Sequence, residues 1–497
     1  MNLNHQTITN ISKLLSNGEI TSVELTEACL NQIESFDNSI NAFVSIYSDM
    51  AIQQAYTADK AWLNWRKGST KIKPSMINGV PIAIKDVLCM SDTITSAGSK
   101  ILQNFVSHYD ATAVARLRNA GAVLIGKTNT DEFAMGSSTE TSIFGPTHNP
   151  WNIEHVPGGS SGGSAASVSS QMVYGALGSD TGGSVRQPAA MCGVVGFKPT
   201  YGGISRSGLI AFGSSFDQVG TITKTVEDSA ALHQAICGHD PHDLTSYVHK
   251  NDSYFTNLSH CDNLNGITIG VDETQFNQDI QPEVKLNIMN ALETIKNLGA
   301  NIIPIQLPHN QYALESYYLI ANAEASANLA RYDGIRYGFR SNGTTLMDTY
   351  INTRSNGLGK EVKRRIMLGT YALSTGYYDD YYLNAQKIRS LISEDFSEAF
   401  SKVDIIVGPV TPTTAFKIGA KINNPLQMYL SDVFTLSANL AGLPGISIPC
   451  GFDKIGLPIG VQMLGPKFSD QKLFNVAHIY QQTLNWRQFH PSLENKK

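Results

Sequence analysis

The chain has 497 residues, 42% of them hydrophobic and 16% charged, with 42 glycines and 19 prolines. That balance excludes a disordered or fibrous chain and leaves ample apolar material for a core. A formal net charge of -5 gives no global attraction for a polyanion, so nucleic acid binding by this chain alone is disfavoured.

The opening "MNLNHQTITNISKLL" has neither the apolar core of a signal peptide nor the Arg-rich bias of an organellar presequence. No apolar run approaches the roughly 20 residues that span a bilayer, so a cytoplasmic protein with no membrane association is expected. In "TSVELTEACLNQIESF", Thr21 and Glu24 have the spacing of a capping box, and Leu25, Cys29, Ile33 and Phe36 share one helical face. "GVPIAIKDVL" is short, apolar and bounded by Gly, which predicts a buried strand with Lys85 inside it. "ATAVARLRNAGAVLIGKTNT" reads as helix, Gly stop and buried strand.

After the stretch "HVPGGSSGGS", the segment "SAASVSSQMVYGALG" is small and apolar enough to predict an interior helix. "MCGVVGFKPT" and "GITIGVDE" read as strands, and "PEVKLNIMNALETIKNLGA" as a helix leading to "NIIPIQLP". The region from about 310 to 403 is expected to be mainly helical. "DIIVGPVTPT", "GISIPCGF" and "LPIGVQMLG" supply three final strand candidates. With no repeat and no long linker, one α/β body over residues 1–497 is expected. The six cysteines, Cys29, Cys89, Cys192, Cys237, Cys261 and Cys450, include no C-x-x-C pair and no zinc-like spacing. They read as reduced, mostly buried thiols, with no metal bound.

The glycine stretch admits several readings. A flexible linker would have polar flanks, and here a core helix follows. A phosphate cradle would end in Gly-Lys-Ser/Thr after an apolar strand, and "WNIEHVPGGSSGGSAA" has neither. Gly158, Ser160 and Gly162 match the G-x-S-x-G of a nucleophile elbow, but the strand that should run into the serine is missing and nothing singles out one of the 12 histidines as its partner. The fourth reading looks downstream to "GSDTGGSVRQPAA". There Thr181, Gly182 and Gly183 form a turn able to aim backbone N–H groups at one spot, as an oxyanion hole requires, with Ser184 beside it as a nucleophile.

Taken together, "GVPIAIKD", "PGGSSGGSAA" and "GSDTGGSVRQPAA" resemble the amidase signature family, in which a Ser-Ser-Lys triad replaces Ser-His-Asp. The likeness continues through "TNTDEFAMGSSTETS", "FKPTYGGISRSGLIAFGSSFDQVG", "EASANLARYDGIRYG", "EVKRRIMLGTYALSTGYYDDYY" and "ANLAGLPGISIPCGF". These segments are similar to the branch of the family that hydrolyses glutamine for the amidation of glutamyl-tRNA(Gln). Gly203 stands where that branch usually has Arg, and Asn152 where it usually has Asp.

The resemblance implies an α/β amidase signature fold, with a large mixed central sheet covered by helices on both faces. It assigns the nucleophile to Ser184, the bridging serine, held by a cis peptide after Gly159, to Ser160, and the base to Lys85. Ser161 would add a hydrogen bond, and the N–H groups of Thr181, Gly182 and Gly183 would receive the oxyanion. Arg364 or Arg365 would hold the α-carboxylate of glutamine and Asp432 its α-ammonium, with Arg186 a structural brace. It further implies a heterotrimer with B and C subunits, no cofactor in this chain, and ATP, magnesium and Glu-tRNA(Gln) handled mainly by the partner. A free-standing amidase and a non-catalytic scaffold remain the alternatives. Whatever the substrate, Lys85 works as a base only if burial favours its neutral form, and "PIAIK" supplies that burial.

Overall fold

Runs that are apolar at every position have no solvent face to offer and settle inside a sheet covered on both sides. In the computed structural model, which describes residues 2–248, 253–258, 261–277 and 279–492, such runs form an 11-stranded sheet. In chain order the strands are β1 (Phe43–Ile46), β2 (Pro81–Lys85), β3 (Val123–Thr128), β4 (Gly175–Asp180), β5 (Val195–Lys198), β6 (Gln218–Thr223), β7 (Thr268–Asp272), β8 (Asn301–Ile305), β9 (Ile405–Pro409), β10 (Gly445–Phe452) and β11 (Pro458–Leu464). Across the sheet they lie in the order β1-β3-β2-β4-β6-β5-β10-β11-β9-β7-β8. β2 runs parallel to β3 and β4, and β7 parallel to β8 and β9. The neighbours from β4 through β6, β5, β10 and β11 to β9 pair antiparallel, as does β1 with β3. Every residue of β2, β3, β4, β5, β6, β9 and β11 is buried, so both faces of the sheet are covered.

The opening helix, Ser22–Ile40, starts at the expected capping box. Glu24 N–H donates to Thr21 Oγ1 at 3.1 Å and Thr21 N–H to Glu24 Oε2 at 2.7 Å. Leu25, Cys29 and Ile33 are buried on its inner face, with Phe36 half-buried. From Ala313 to Phe400 the regular structure is helical, with helices Ala313–Asn328, Leu346–Gly357, Lys360–Ala372 and Asn384–Phe400. Ile320, Leu329, Val362, Ile392 and Phe396 from this region share an apolar cluster with Ile406 of β9 and Leu464 of β11.

One segment departs from its sequence reading in a way that matters for the site. "SAASVSSQMVYGALG" is not one helix: the helix Gly162–Ser169 ends early and β4 begins at Gly175. Gln171 takes a left-handed φ of 63° between them. The reason is composition, since an all-apolar run of small residues carries no period to separate helix from buried strand. Likewise the expected strand "MCGVVGFKPT" narrows to β5, its first residues closing the helix Arg186–Cys192.

Of the cysteines, Cys29, Cys89, Cys192 and Cys237 are buried, Cys450 is half-buried and Cys261 is exposed. Among the described residues no helix is long and apolar enough to cross a membrane.

Candidate active site

β2 and β4 are parallel neighbours, and together they bring the two motif regions to one edge of the buried layer. β2 ends at Lys85, fully buried. Its Nζ lies 2.7 Å from Ser160 Oγ, 2.8 Å from Ser161 Oγ and 2.9 Å from Ser179 Oγ. Burial lowers the Lys85 ammonium to about 7, against the pull of the carboxylates of Asp131, Asp180 and Asp217. A nitrogen surrounded by hydroxyls and poised near neutrality is equipped to accept a proton.

Ser160 follows a cis peptide bond from Gly159, as the family resemblance implied. The neighbouring glycines are required by close approach. A Cβ on Gly159 would stand 2.3 Å from Asp131 Oδ2, and Gly158 has a left-handed φ of 82°. Asp131 in turn accepts from Thr139 N–H at 2.8 Å and Thr141 Oγ1–H at 2.9 Å, while Thr139 Oγ1 donates to Gly158 O at 2.8 Å. The glycine-serine stretch is therefore a fixed floor, wholly buried, and not a linker.

β4 ends at Asp180 and the chain turns through Thr181, Gly182 and Gly183 to Ser184. Ser184 carbonyl accepts from Ser161 N–H at 3.2 Å, which ties the two serine segments together. Among the described residues Ser184 Oγ makes no hydrogen bond, and the relay contact from Ser184 to Ser160 is absent in this state. Such catalytic contacts commonly tighten only when substrate binds.

Gly183 departs from the expected oxyanion role. Its N–H donates to Asp180 Oδ1 at 2.8 Å, because that carboxylate also gathers the Val185 N–H at 3.2 Å to hold the turn. The N–H groups of Thr181 and Gly182 meet no protein acceptor among the described residues and stay available. Arg186 braces the turn, donating to Asp180 Oδ2 at 3.0 Å and to Thr435 O at 3.1 Å, with both charged side chains fully buried.

The glutamine candidates converge from the other half of the chain. A cavity of about 320 Å³ is lined by Asp131, Glu132, Ser137, Arg364, Arg365 and Tyr429 among others. Arg365 is buried, donates to Glu361 Oε1 at 2.8 Å, and stacks over Tyr318 and Tyr429 at 5.2 Å. Arg364 is more exposed and also pairs with Glu361. Asp432 is buried, accepts from Ser137 Oγ–H, and leaves its Oδ1 without a hydrogen-bond partner among the described residues. Burial pushes its carboxyl up to about 7. The residues lining the cavity reach Ser137 and Ser138 but do not include Ser184.

Sequence reasoning missed Ser179, Asp131, Ser137 and Tyr317. A Cβ on Gly182 would stand 2.8 Å from the Tyr317 hydroxyl, which places that ring beside the turn that leads to Ser184. Reading β4 as a strand would have found Ser179. Asp131 and Ser137 lie in the segment "TNTDEFAMGSSTETS", which singles out neither, and no local pattern marks Tyr317.

The profile of the amidase family matches residues 24–474. The chain belongs to that family. It is 50% identical over 494 residues to the A subunit of the glutamyl-tRNA(Gln) amidotransferase of Halothermothrix orenii, covering 99% of this chain and 100% of that one. A similar likeness, 50% over 491 residues and 99% of each chain, holds for the corresponding protein of Chloroflexus aurantiacus. Among solved structures, the A subunit of the same amidotransferase from Thermotoga maritima is 41% identical with a TM-score of 0.81, covering 99% of this chain and 98% of that one. A 6-aminohexanoate cyclic dimer hydrolase shares the fold at 25% identity and a TM-score of 0.83, over 99% and 100% of the two chains.

Proposed function

We propose that this chain is the glutamine-hydrolysing subunit of a glutamyl-tRNA(Gln) amidotransferase and works through a Ser184-Ser160-Lys85 relay. The observation that carries the chemistry is a buried lysine held near neutrality against Ser160 Oγ at 2.7 Å. The full-length likeness to the A subunits of such amidotransferases supports the substrate and setting.

In this reading neutral Lys85 takes a proton from Ser160 as Ser160 takes one from Ser184. Ser184 Oγ then bonds to the side-chain amide carbon of glutamine. The resulting oxyanion is received by the N–H groups of Thr181 and Gly182. Collapse breaks the C–N bond, and the relay returns the proton to the leaving nitrogen, releasing ammonia and leaving a glutamyl ester on Ser184. Water then attacks the ester, its proton passing to Lys85 through Ser160; collapse breaks the bond between the carbonyl carbon and Ser184 Oγ, the relay returns the proton to Ser184 Oγ, and glutamate departs. Ser161 and Ser179 orient the Lys85 amine.

Arg365 is the better candidate of the two arginines for the α-carboxylate, since its buried, stacked guanidinium is pre-organised. Asp432, with one buried oxygen unpartnered, suits the α-ammonium. B and C subunits complete a cytoplasmic heterotrimer, in which the partner uses ATP and magnesium and handles Glu-tRNA(Gln). No cofactor is assigned to this chain. The fold is shared with a hydrolase of another amide, so the test is substrate choice. Asp432→Ala should impair glutamine hydrolysis selectively, and an equal loss on a simple aliphatic amide would refute the specificity role.

A further inference from the structure

The helix Lys360–Ala372 carries Arg365, yet it lacks a cap of its own. Its N-cap residue is Gly359, with no side-chain cap bond, and Val362 occupies the position where a capping box would place Glu or Gln. The missing carboxylate comes from far away in the chain. Glu132 Oε2 accepts the Gly359 N–H at 2.8 Å, and Glu132 Oε1 accepts the Ser99 hydroxyl at 2.6 Å. The side chain is only 2% exposed.

Ser99 and the backbone of Glu132 itself lead back to the catalytic floor. Ser99 belongs to the loop in which Ser96 N–H donates to Asp86 Oδ2 at 3.1 Å, one residue beyond Lys85. Glu132 also follows Asp131, the carboxylate that organises the 138–141 loop against Gly158 and Gly159. Its own N–H donates to Thr141 Oγ1 at 3.1 Å in that loop. One residue thus joins the Lys85 end of β2 and the helix bearing Arg365 through its side chain, and the floor under Ser160 through its backbone.

We infer that Glu132 is a positioning residue for glutamine: by tying the start of the Lys360–Ala372 helix to the catalytic floor, it sets where Arg365 stands relative to Ser184. The inference rests on the reading that Arg365 holds the glutamine carboxylate. It gives Gly359 a role as well. A Cβ there would stand 2.1 Å from Glu132 Oε2, while a φ of -72° suits any residue. Gly359→Ala therefore breaks the tether by contact alone.

The test uses the full chain co-expressed with the proposed B and C subunits and reads KM and kcat for glutamine beside hydrolysis of a simple aliphatic amide. Glu132→Ala and Gly359→Ala are each expected to raise the glutamine KM about tenfold, a loss on glutamine several times larger than any loss on the aliphatic amide. Glu132→Gln restores the KM to within about threefold, because its amide oxygen still accepts from Gly359 while its NH₂ donates to Ser99. An unchanged KM in Glu132→Ala, or an equal loss on both substrates, overturns the inference. Arg365→Gln separates the two levels. If it leaves the glutamine KM unmoved, the Arg365 reading falls and the inference with it. If it raises KM while Glu132→Ala does not, the inference alone falls.

Discussion

Burial draws Lys85 down to about 7 and Asp432 up to about 7, and the two titrations act on activity in the same direction by different routes. Lys85 is a base only when neutral, so kcat/KM should fall as pH drops through about 7 and level off above it. Asp432 holds an ammonium only as a carboxylate, so below about 7 glutamine binding should weaken as well. A simple aliphatic amide has no ammonium and reports Lys85 alone. Comparing pH profiles of kcat/KM should give a steeper acid limb for glutamine than for the aliphatic amide; superimposable limbs would contradict the role of Asp432. Ser184→Ala should lower glutamine turnover by about a thousandfold or more with the fold intact by circular dichroism, and retained turnover would remove Ser184 as nucleophile. The contact between Lys85 and Ser160 was legible because each residue sits in a distinctive motif. Ser137 and Asp432 meet across 295 residues, and nothing in either local sequence announces the other.

The turn between β4 and the helix Arg186–Cys192 depends on a buried ion pair as well as on its glycines. Asp180 accepts from the N–H groups of Gly183 and Val185 and from the Arg186 guanidinium, which also reaches Thr435 O. Arg186 holds the Asp180 carboxyl far below the usual carboxylate range, overcoming its burial. Removing one partner of such a pair leaves a buried charge uncompensated, so Arg186→Ala should cost about 3–5 kcal/mol in urea unfolding. A loss under about 1 kcal/mol would show that the turn holds without the brace. β4 itself escaped the sequence reading for a physical reason. "YGALGSD" is apolar, small and buried on both faces, and neither a period of two nor of 3.6 survives in it. β2, with β-branched residues between Gly79 and the polar Asp86, was far easier to place.

Across the whole molecule, the sheet explains why the site needs nearly the full chain. The proposed triad comes from β2, the 158–161 floor and the turn after β4, while Arg365 comes from the helical region and Asp432 from the segment before β10. The existence of an α/β sheet was legible from the alternation of apolar runs and amphipathic helices, and its mixed character from the family resemblance. Its order was not, because β10 and β11 insert between β5 and β9 from the far end of the chain, a placement set by long-range packing that leaves no local signal. The measurement that bears most directly on the proposed function is ammonia release from glutamine by the purified chain, alone and co-expressed with B and C subunits, with Ser184→Ala as control. Release that rises in the complex, vanishes in Ser184→Ala and accompanies amidation of glutamyl-tRNA(Gln) is the expected result. Equal hydrolysis of simple amides by the chain alone, with no partner retained, would contradict it and make the protein an independent amidase.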